Sequence, residues 1–228
     1  MSDLHPERAR GQLYGRRKGP KLSAHQTHLL DTLLPSLAFQ PKAGADPRAY
    51  FDGAVEDVWL EVGFGAGEHL LWQAEQHPRA GLIGAEPYEN GVAKLLSKAE
   101  GSAARNFRLY SGDARDILAA LPDGSIGRVF VLFPDPWPKT RHHKRRFIQS
   151  GMLDELARAM KPGAELRFAT DDAPLLTYTL ERLMAHPAFA WTARRASDWK
   201  VRPSDWPPTR YEAKELHGVP SFLRFVRA

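Results

Sequence analysis

The chain has 228 residues, of which 43% are hydrophobic and 26% are charged, a composition typical of proteins that fold around an apolar core. This composition excludes global disorder and collagen-like repeats. No apolar run reaches the roughly 18 residues that cross a bilayer, and residues 1–11 lack the apolar core of a signal peptide, so we expect a cytoplasmic protein. The sequence has no cysteine, which excludes disulfides, thiolate metal sites and cysteine nucleophiles.

Positive charge is concentrated in two short stretches of a chain whose net charge is +5. Residues 8–21 contain six basic side chains and no acid, with Gly and Pro between them, which predicts a flexible basic arm. Residues 139–146 contain five Lys or Arg side chains and two histidines. One basic run is typical of a solvated face, but two of them favour a polyanionic partner.

The predicted elements alternate along the chain after a leading segment, residues 29–37, in which leucine recurs at helical spacing. Short apolar runs predict strands at residues 58–62, 82–85, 107–110, 129–133, 165–169 and 221–226. Helical patterns lie between them at residues 68–76, 88–99 and 117–121, and a further helix is predicted to end at Lys161-Pro162-Gly163. This alternation predicts an α/β fold with a parallel, doubly wound sheet.

A glycine-rich turn follows the first predicted strand, at the carboxyl edge where open α/β sheets bind ligands. Gly63, Gly65 and Gly67 allow the backbone to turn sharply and to approach a ligand closely, although such a turn alone is a weak signal. The dinucleotide fingerprint G-x-G-x-x-G requires glycine at position 68, where this chain has Glu68. A carboxylate there repels a pyrophosphate, so the sequence disfavours NAD.

Acidic residues lie at or just after the ends of the first three strands. Glu61 can face a cationic centre, Glu86 can accept hydrogen bonds from both ribose hydroxyls, and Asp113 can accept one from an adenine amino group. Each acid alone could instead cap a helix or face solvent. Their recurrence after three successive strands favours one ligand with all three features and no phosphate, which describes S-adenosylmethionine.

The fourth predicted strand leads into a motif in which two prolines fix the backbone on both sides of Asp135, namely Phe133-Pro134-Asp135-Pro136-Trp137-Pro138-Lys139. This run, the basic cluster after it, the Glu61–Gly65 turn and the Thr209–Glu212 segment resemble the bacterial tRNA (guanine-N7)-methyltransferases. The resemblance covers nearly the whole chain and is most specific at the Asp135 motif.

The resemblance implies a Rossmann-like class I methyltransferase fold, with a seven-stranded, mostly parallel sheet, an antiparallel last strand and helices on both faces. Residues 1–46 then form the basic N-terminal arm and the leading helix, and residues 47–228 form the methyltransferase domain. The implied cofactor is S-adenosyl-L-methionine, and the implied reaction is methylation of guanine N7 at position 46, in the variable loop of tRNA. We expect tRNA as the partner, no required metal, and a monomer or homodimer.

The resemblance also implies roles for individual residues. Asp135 is the expected catalytic residue, and the expected cofactor contacts come from Glu61, Gly63, Gly65, Glu86, Asp113 and Asp135. The expected substrate contacts come from Lys139, Asp171, Thr209, Arg210, Tyr211 and Glu212. Members of the family often have lysine where this chain has Arg210, which keeps the charge but changes the hydrogen-bond geometry.

Two other functions remain open at this point. A methyltransferase acting on another RNA, a protein or a small molecule has the same fold, but the two basic clusters disfavour a protein or small-molecule substrate. A non-catalytic RNA-binding module has no need of the glycines and strand-end acids that this chain retains. Trp137 either stacks on the target base or belongs to the core.

Overall fold

The computed structural model of the protein describes residues 15, 17–53, 55–209, 212 and 218–228. Within the basic arm predicted above, Arg8, Arg10 and Arg16 lie outside the described residues, and so do Arg210 and Tyr211 of the predicted substrate segment. The described strands are β1 Asp57–Val62, β2 Ala80–Ala85, β3 Phe107–Tyr110, β4 Ile126–Leu132, β5 Met160–Thr170, β6 Phe189–Trp191 and β7 Ser221–Arg227. They form one seven-stranded sheet within this part of the chain, in the order β3-β2-β1-β4-β5-β7-β6.

The strand directions agree with the predicted fold. β3, β2, β1, β4 and β5 pair in parallel, whereas β7 runs antiparallel to both β5 and β6. The strand order reverses between β1 and β4, which creates the switch point where such sheets bind ligands. The predicted sheet, mostly parallel with an antiparallel last strand, is confirmed for the described residues.

Helices cover both faces of the sheet. They are α1 Ala24–Thr32, α2 Leu34–Leu37, α3 Glu68–Gln76, α4 Glu89–Ala99, α5 Ala114–Ala120, α6 Ser150–Ala159, α7 Ala173–Ala185 and α8 Ser197–Lys200. Successive residues of β1 face opposite sides of the sheet. Leu60 packs in a core with residues of α5, α6 and α7, while Trp59 packs in a second core with residues of α3 and α4. None of the described helices is long and apolar enough to cross a membrane.

The leading helix α1 packs against the rest of the fold. Ser23 caps it, because its hydroxyl oxygen accepts the Gln26 N–H while the Gln26 side chain accepts the Ser23 N–H. Leu29 is buried among residues of α3 and α4, and the Phe39 N–H donates to the Leu109 carbonyl at the edge of β3 (2.8 Å). The boundary between residues 46 and 47 stays a prediction.

The helix expected to end at Lys161-Pro162-Gly163 ends earlier, so that expectation was wrong. α6 ends at Ala159, and β5 begins at the next residue. The pairing of β5 with β4 shifts register in this stretch, so Pro162, which has no N–H, lies in an irregular part of the strand. β6 has three residues and was too short to show a pattern of its own.

Candidate functional site

A cleft of about 230 Å³ opens at the carboxyl ends of β1, β2, β3 and β4, at the switch point of the sheet. Its volume is on the scale of one small molecule and not of a nucleic acid. Five of the residues singled out from the sequence line it, namely Gly63, Gly65, Glu86, Asp113 and Asp135. The fold therefore gathers around one cavity five residues that follow four different strands.

The glycine turn has the backbone conformation that requires glycine. Gly63, Gly65 and Gly67 have φ values of 72°, 57° and 76°, which L side chains rarely adopt. Gly91, in the first turn of α4, is also required, because a Cβ there would lie 2.5 Å from the Gly65 carbonyl oxygen. Sequence analysis missed Gly91, although a glycine inside a helical pattern is a recognised sign of close packing.

Glu86 holds the glycine turn in place from the end of β2. One carboxylate oxygen accepts the Gly65 N–H (2.8 Å) and the other accepts the Tyr88 N–H (2.9 Å). Burial raises the pKa of Glu86, the two backbone N–H groups oppose this, and the charges of Asp135 and Glu61 raise the pKa further. Each oxygen has a second lone pair, so Glu86 can brace the turn and still accept from ligand hydroxyls.

Asp113 and Arg115 form an ion pair at the far wall of the cleft. Asp113 caps α5 by accepting the Arg115 N–H (3.0 Å), and its other oxygen lies 2.8 Å from the Arg115 guanidinium. The helix-capping alternative for Asp113 therefore describes part of its role. Arg115 also lines the cleft, and sequence analysis missed it. The position of Arg115, two residues after the acid that caps α5, was the feature of the sequence that could have identified it.

The Asp135 loop is held in a strained conformation. Phe133 and Trp137, which flank the Pro134-Asp135-Pro136 run, have φ values of 49° and 45°, unusual for bulky side chains. Such strain persists where the surroundings fix the backbone, and it concentrates at functional sites. The loop is fixed at both ends, since the Phe133 N–H donates to Ala169 (2.8 Å) and Arg146 donates to the Pro136 carbonyl (2.9 Å).

Asp135 is exposed where it lines the cleft, and the cleft walls displace part of the water around its carboxyl group. This desolvation raises its pKa. Three acids, Glu86, Asp113 and Asp135, and two arginines, Arg115 and Arg145, line the cleft, so its lining has one more acid than base, and the charge of Asp135 raises the pKa of Glu86. The donor set therefore fits a ligand that brings positive charge, and it opposes a pyrophosphate.

Trp137 connects the cleft to the basic cluster. It lines the cleft, and the Arg145 guanidinium carbon lies 4.8 Å from its ring centroid. The cluster continues as a 3₁₀ helix, Thr140–Arg145, which Lys139 precedes as the N-cap residue, and Lys139, Arg141 and Lys144 are exposed. Whether Trp137 stacks on a base stays a prediction, but it belongs to the cleft rim and not to the apolar core.

Glu61 lies apart from the cleft surface. It is 3% exposed, behind the glycine turn, and its carboxylate is 2.8 Å from His69 Nδ1. His69 is equally buried and its Nε2 lies 3.1 Å from Gln73 Nε2. Sequence analysis missed both partners, because nothing in the pattern showed which face of α3 meets β1. The expected contact of Glu61 with a cationic centre stays a prediction.

The expected substrate residues that the structure describes lie outside the cleft lining. Asp171 follows β5 and is partly exposed. Two hydrogen bonds join Thr209 and Glu212. The Glu212 carboxylate accepts the Thr209 N–H (3.4 Å), and the Thr209 hydroxyl oxygen accepts the Glu212 N–H (3.3 Å). Arg202 lies 3.6 Å from the Glu212 carboxylate. Of the expected substrate residues, Arg210 and Tyr211 lie outside the described part of the chain.

The described residues include no group of three or more His, Asp or Glu side chains placed to hold a metal ion. The cleft lining itself supplies carboxylates, the backbone of the glycine turn and two arginine side chains.

Comparison with known proteins assigns the chain to a family. A family model described as a methyltransferase matches residues 56–219. The tRNA (guanine-N(7)-)-methyltransferase of Rhodospirillum rubrum is 50% identical over 224 residues, which cover 95% of this chain and 88% of that protein. The tRNA (guanine-N(7)-)-methyltransferase of Azorhizobium caulinodans is 46% identical over 229 residues, which cover 100% of both.

A solved structure agrees in fold. A 16S rRNA (adenine(1408)-N(1))-methyltransferase variant from Catenulisporales acidiphilia, crystallised with its cosubstrate S-adenosylmethionine, has a TM-score of 0.55 at 21% identity and covers 77% of this chain and 87% of that one. Such a likeness shows the fold alone. The sequence relatives go further, because their similarity extends from the leading helix through the cleft to the last strand, and the chain belongs to the tRNA (guanine-N(7)-)-methyltransferase family.

Proposed function

We propose that the protein transfers a methyl group from S-adenosylmethionine to guanine N7 at position 46, in the variable loop of tRNA. The observation that carries the proposal is the acidic cleft at the switch point, with its rim joined to a basic cluster through Trp137 and Arg145. An acidic cavity suits a cationic small molecule, and a basic rim suits a nucleic acid. The relatives named above are tRNA (guanine-N(7)-)-methyltransferases, which favours tRNA over the other substrates.

The residues that would hold the cofactor are those of the cleft wall. Glu86 accepts from the ribose hydroxyls, Asp113 accepts from the adenine amino group, and the turn at Gly65 leaves room for close approach of the backbone. When bound, S-adenosylmethionine supplies an electrophilic methyl group on a positively charged sulfur. The negative charge of Asp135 and Glu86 favours that charge in the cleft.

Catalysis rests on alignment and charge. Guanine N7 has a lone pair and no proton, so the protein has no need of a general base. Holding the base in line with the methyl group can lower the barrier by several kcal/mol. Positive charge develops on the purine as N7 is methylated, and the Asp135 carboxylate, fixed in its strained loop, stabilises that charge.

Guanine is distinguished from adenine by Glu212. Guanine presents N1–H and N2–H donors to a carboxylate, whereas adenine presents an acceptor at N1. The Glu212 carboxylate accepts a long bond from the Thr209 N–H (3.4 Å) and lies 3.6 Å from Arg202, so it keeps capacity for stronger donors. In this proposal Lys139 and Asp171 flank the target nucleotide. We also propose that the protein works in the cytoplasm, together with its tRNA substrate.

The experiment uses purified full-length protein, S-adenosylmethionine and unmodified tRNA transcripts that differ only at position 46, guanosine or adenosine. We expect one methyl group per guanosine-46 transcript and none on the adenosine-46 transcript. Mass spectrometry of nuclease fragments places the methyl group. Methylation of both transcripts at the same site would overturn the assignment of position 46, and a methyl group on guanine N1 or N2 would overturn the reaction.

A further inference from the structure

A continuous chain of buried polar side chains leads from β1 to the segment that carries Thr209. Glu61 lies 2.8 Å from His69 Nδ1, and His69 Nε2 lies 3.1 Å from Gln73 Nε2. The same Gln73 nitrogen lies 3.0 Å from the Asp205 carbonyl oxygen. We call Glu61, His69, Gln73 and the Asp205 carbonyl the buried polar chain.

The side chains of the buried polar chain are almost fully shielded from water. Gln73 is 0% exposed, and His69 and Glu61 are each 3% exposed. Burial of polar groups is costly unless hydrogen bonds replace the lost water. Gln73 is central to the buried polar chain, because its amide nitrogen links α3 to residues 202–209, here called the 202–209 segment, across 132 positions of sequence.

The hydrogen-bond geometry determines which atoms of the buried polar chain carry hydrogen. A single amide nitrogen contacts both His69 and the Asp205 carbonyl oxygen, so the Gln73 NH₂ group donates one hydrogen to each. His69 Nε2 is then the acceptor, and Nδ1 carries the hydrogen that donates to Glu61. This tautomer is assigned from the hydrogen-bond network. A flipped Gln73 amide would place its oxygen against the Asp205 carbonyl oxygen, where the two repel.

The Gln73 amide oxygen supports a positioning role. Among the described residues it has no hydrogen-bond partner, although it is buried. An unpaired buried acceptor is rare and calls for an explanation. The amide keeps this orientation because both of its hydrogens are used, one towards the cofactor side and one towards the 202–209 segment.

The 202–209 segment is also held at its other side. Arg167, 1% exposed, donates to the Asp205 carboxylate (2.7 Å) and to Glu165 (2.8 Å). Burial works to raise the pKa of Asp205, but the bond and charge of Arg167 outweigh it, so the pKa is lowered and Asp205 stays ionised. Trp206, next along the chain, packs edge-on against Phe222. These contacts hold Asp205, which lies four residues before Thr209, in a fixed position.

We propose that His69 and Gln73 are positioning residues that couple the cofactor cleft to the 202–209 segment, so that a ligand in the cleft stiffens the segment that presents Thr209 and Glu212. The proposal rests on the proposed function. Glu61 lies two residues before Gly63, the first glycine of the turn, so a ligand that fixes the turn also restrains Glu61. His69 and Gln73 then transmit that constraint to the Asp205 backbone.

Hydrogen–deuterium exchange with S-adenosylhomocysteine as the ligand tests the coupling. The Gly65 and Gly67 N–H groups are hydrogen-bonded and report on the cleft, and the Trp206 N–H, bonded to the Pro203 carbonyl, reports on the segment. In the wild-type protein we expect the ligand to slow exchange in both regions. Protection of residues 63–67 without protection of residues 202–209 would overturn the coupling.

Two variants interrupt the buried polar chain at Gln73. Gln73→Met keeps the approximate volume and removes both donors. His69→Asn keeps a nitrogen near the position of Nδ1 for Glu61 and removes the acceptor for Gln73. In both we expect ligand-induced protection of residues 202–209 to fall about fivefold, the effect of one ordinary hydrogen bond, while protection of residues 63–67 persists. Leu71→Met, in the same helix and core, is the matched control and should keep both.

A purely structural role for Gln73 predicts a different result. Exchange of residues 202–209 would then rise in the variants with and without ligand, and the ratio between the two states would stay at its wild-type value, which overturns the proposal. The same measurements distinguish failure of the coupling from failure of the proposed function. Absence of protection anywhere shows that the cleft does not bind the cofactor product, whereas coupled protection without methylation of tRNA leaves the coupling intact and refutes the substrate.

Discussion

At the scale of single residues, the carboxyl groups of the cleft have the most direct chemical consequence. Burial is the largest cause that raises the pKa of Glu86, and the charges of Asp135 and Glu61 add to it. Desolvation also raises the pKa of Asp135. A cation in the cleft favours the ionised form of each carboxyl group, so its binding relieves their mutual repulsion.

Binding of S-adenosylmethionine is therefore expected to release protons in mildly acidic buffer. Part of Glu86 and Asp135 is protonated in the free protein as the pH falls, and bound positive charge lowers both pKa values. Affinity should fall as the pH is lowered from neutral through the raised pKa values of these two carboxyl groups. Calorimetry in two buffers of different ionisation heat measures the release. S-adenosylhomocysteine, which lacks the sulfonium charge, should release fewer protons, and proton uptake would contradict the assignment.

Replacement of Asp135 tests its role in the chemical step. Asp135→Asn keeps the shape of the side chain and removes its charge, so methyl transfer at saturating substrates should slow by at least about 100-fold. Affinity for tRNA should stay within a few-fold, because the exposed cations lie on the neighbouring 3₁₀ helix. Single-turnover kinetics and filter binding measure the two quantities. More than about half of the wild-type rate would refute a catalytic role.

At the scale of elements, the cleft depends on how closely α4 approaches the glycine turn. The N-terminus of α4 meets the turn where Gly91 faces the Gly65 carbonyl oxygen, and Glu86 binds the Gly65 N–H from the other side. The turn is therefore held between a helix and a strand end. Its shape depends on this packing as well as on its own glycines.

A methyl group at position 91 should disturb this packing. Gly91→Ala places a Cβ 2.5 Å from the Gly65 carbonyl oxygen, so the turn or α4 must shift. We expect affinity for S-adenosylhomocysteine to fall about tenfold and thermal stability to fall, as with other overpacked sites. Gly151→Ala, in α6 with open space around its Cβ, is the matched control and should keep affinity and stability. Equal affinity of the two variants would show that the close approach is unimportant.

At the scale of the whole molecule, positive charge gathers beside the ligand-binding edge of the sheet. Exposed cations lie at the N-cap of the 3₁₀ helix beside the cleft rim and on that helix, namely Lys139, Arg141 and Lys144. At the opposite edge, by the amino ends of the strands, Arg48, Arg79 and Lys161 are each paired with an acid. This difference between the two edges orients a polyanion towards the cleft.

Salt dependence separates the two edges. Replacement of Lys139, Arg141 and Lys144 by alanine should make the slope of log K for tRNA against log salt shallower by about 2–3 units, at roughly 0.7–0.9 per lost phosphate contact. The control variant replaces Arg48, Arg79 and Lys161 and changes the net charge equally. It should keep the wild-type slope. Equal slopes in the two variants would mean that the cluster after Trp137 is only a solvated face.

Local sequence patterns predicted much of the fold and part of the cleft. α3 has the predicted bounds, Glu68–Gln76, because a glycine turn and a proline bracket its apolar pattern. Gly65, Glu86 and Asp135 were found because strand ends in a parallel sheet share one edge. Arg115 and Gly91 were missed, since their importance lies in contacts with other elements. The end of α6 was misplaced because a Pro-Gly pair is as compatible with an irregular strand as with a helix end.

The sequence by itself determined the order of strands and helices, the glycine turn, the acids at the strand ends and the family, because each depends on residues that are close in the chain. Only the tertiary structure decided that Glu61 faces His69 and not the open cleft, that Gln73 links α3 to Asp205, and that Phe133 and Trp137 take strained conformations. These features join residues that are far apart in sequence. Their partners are set by how helices pack on the sheet, which no local pattern records.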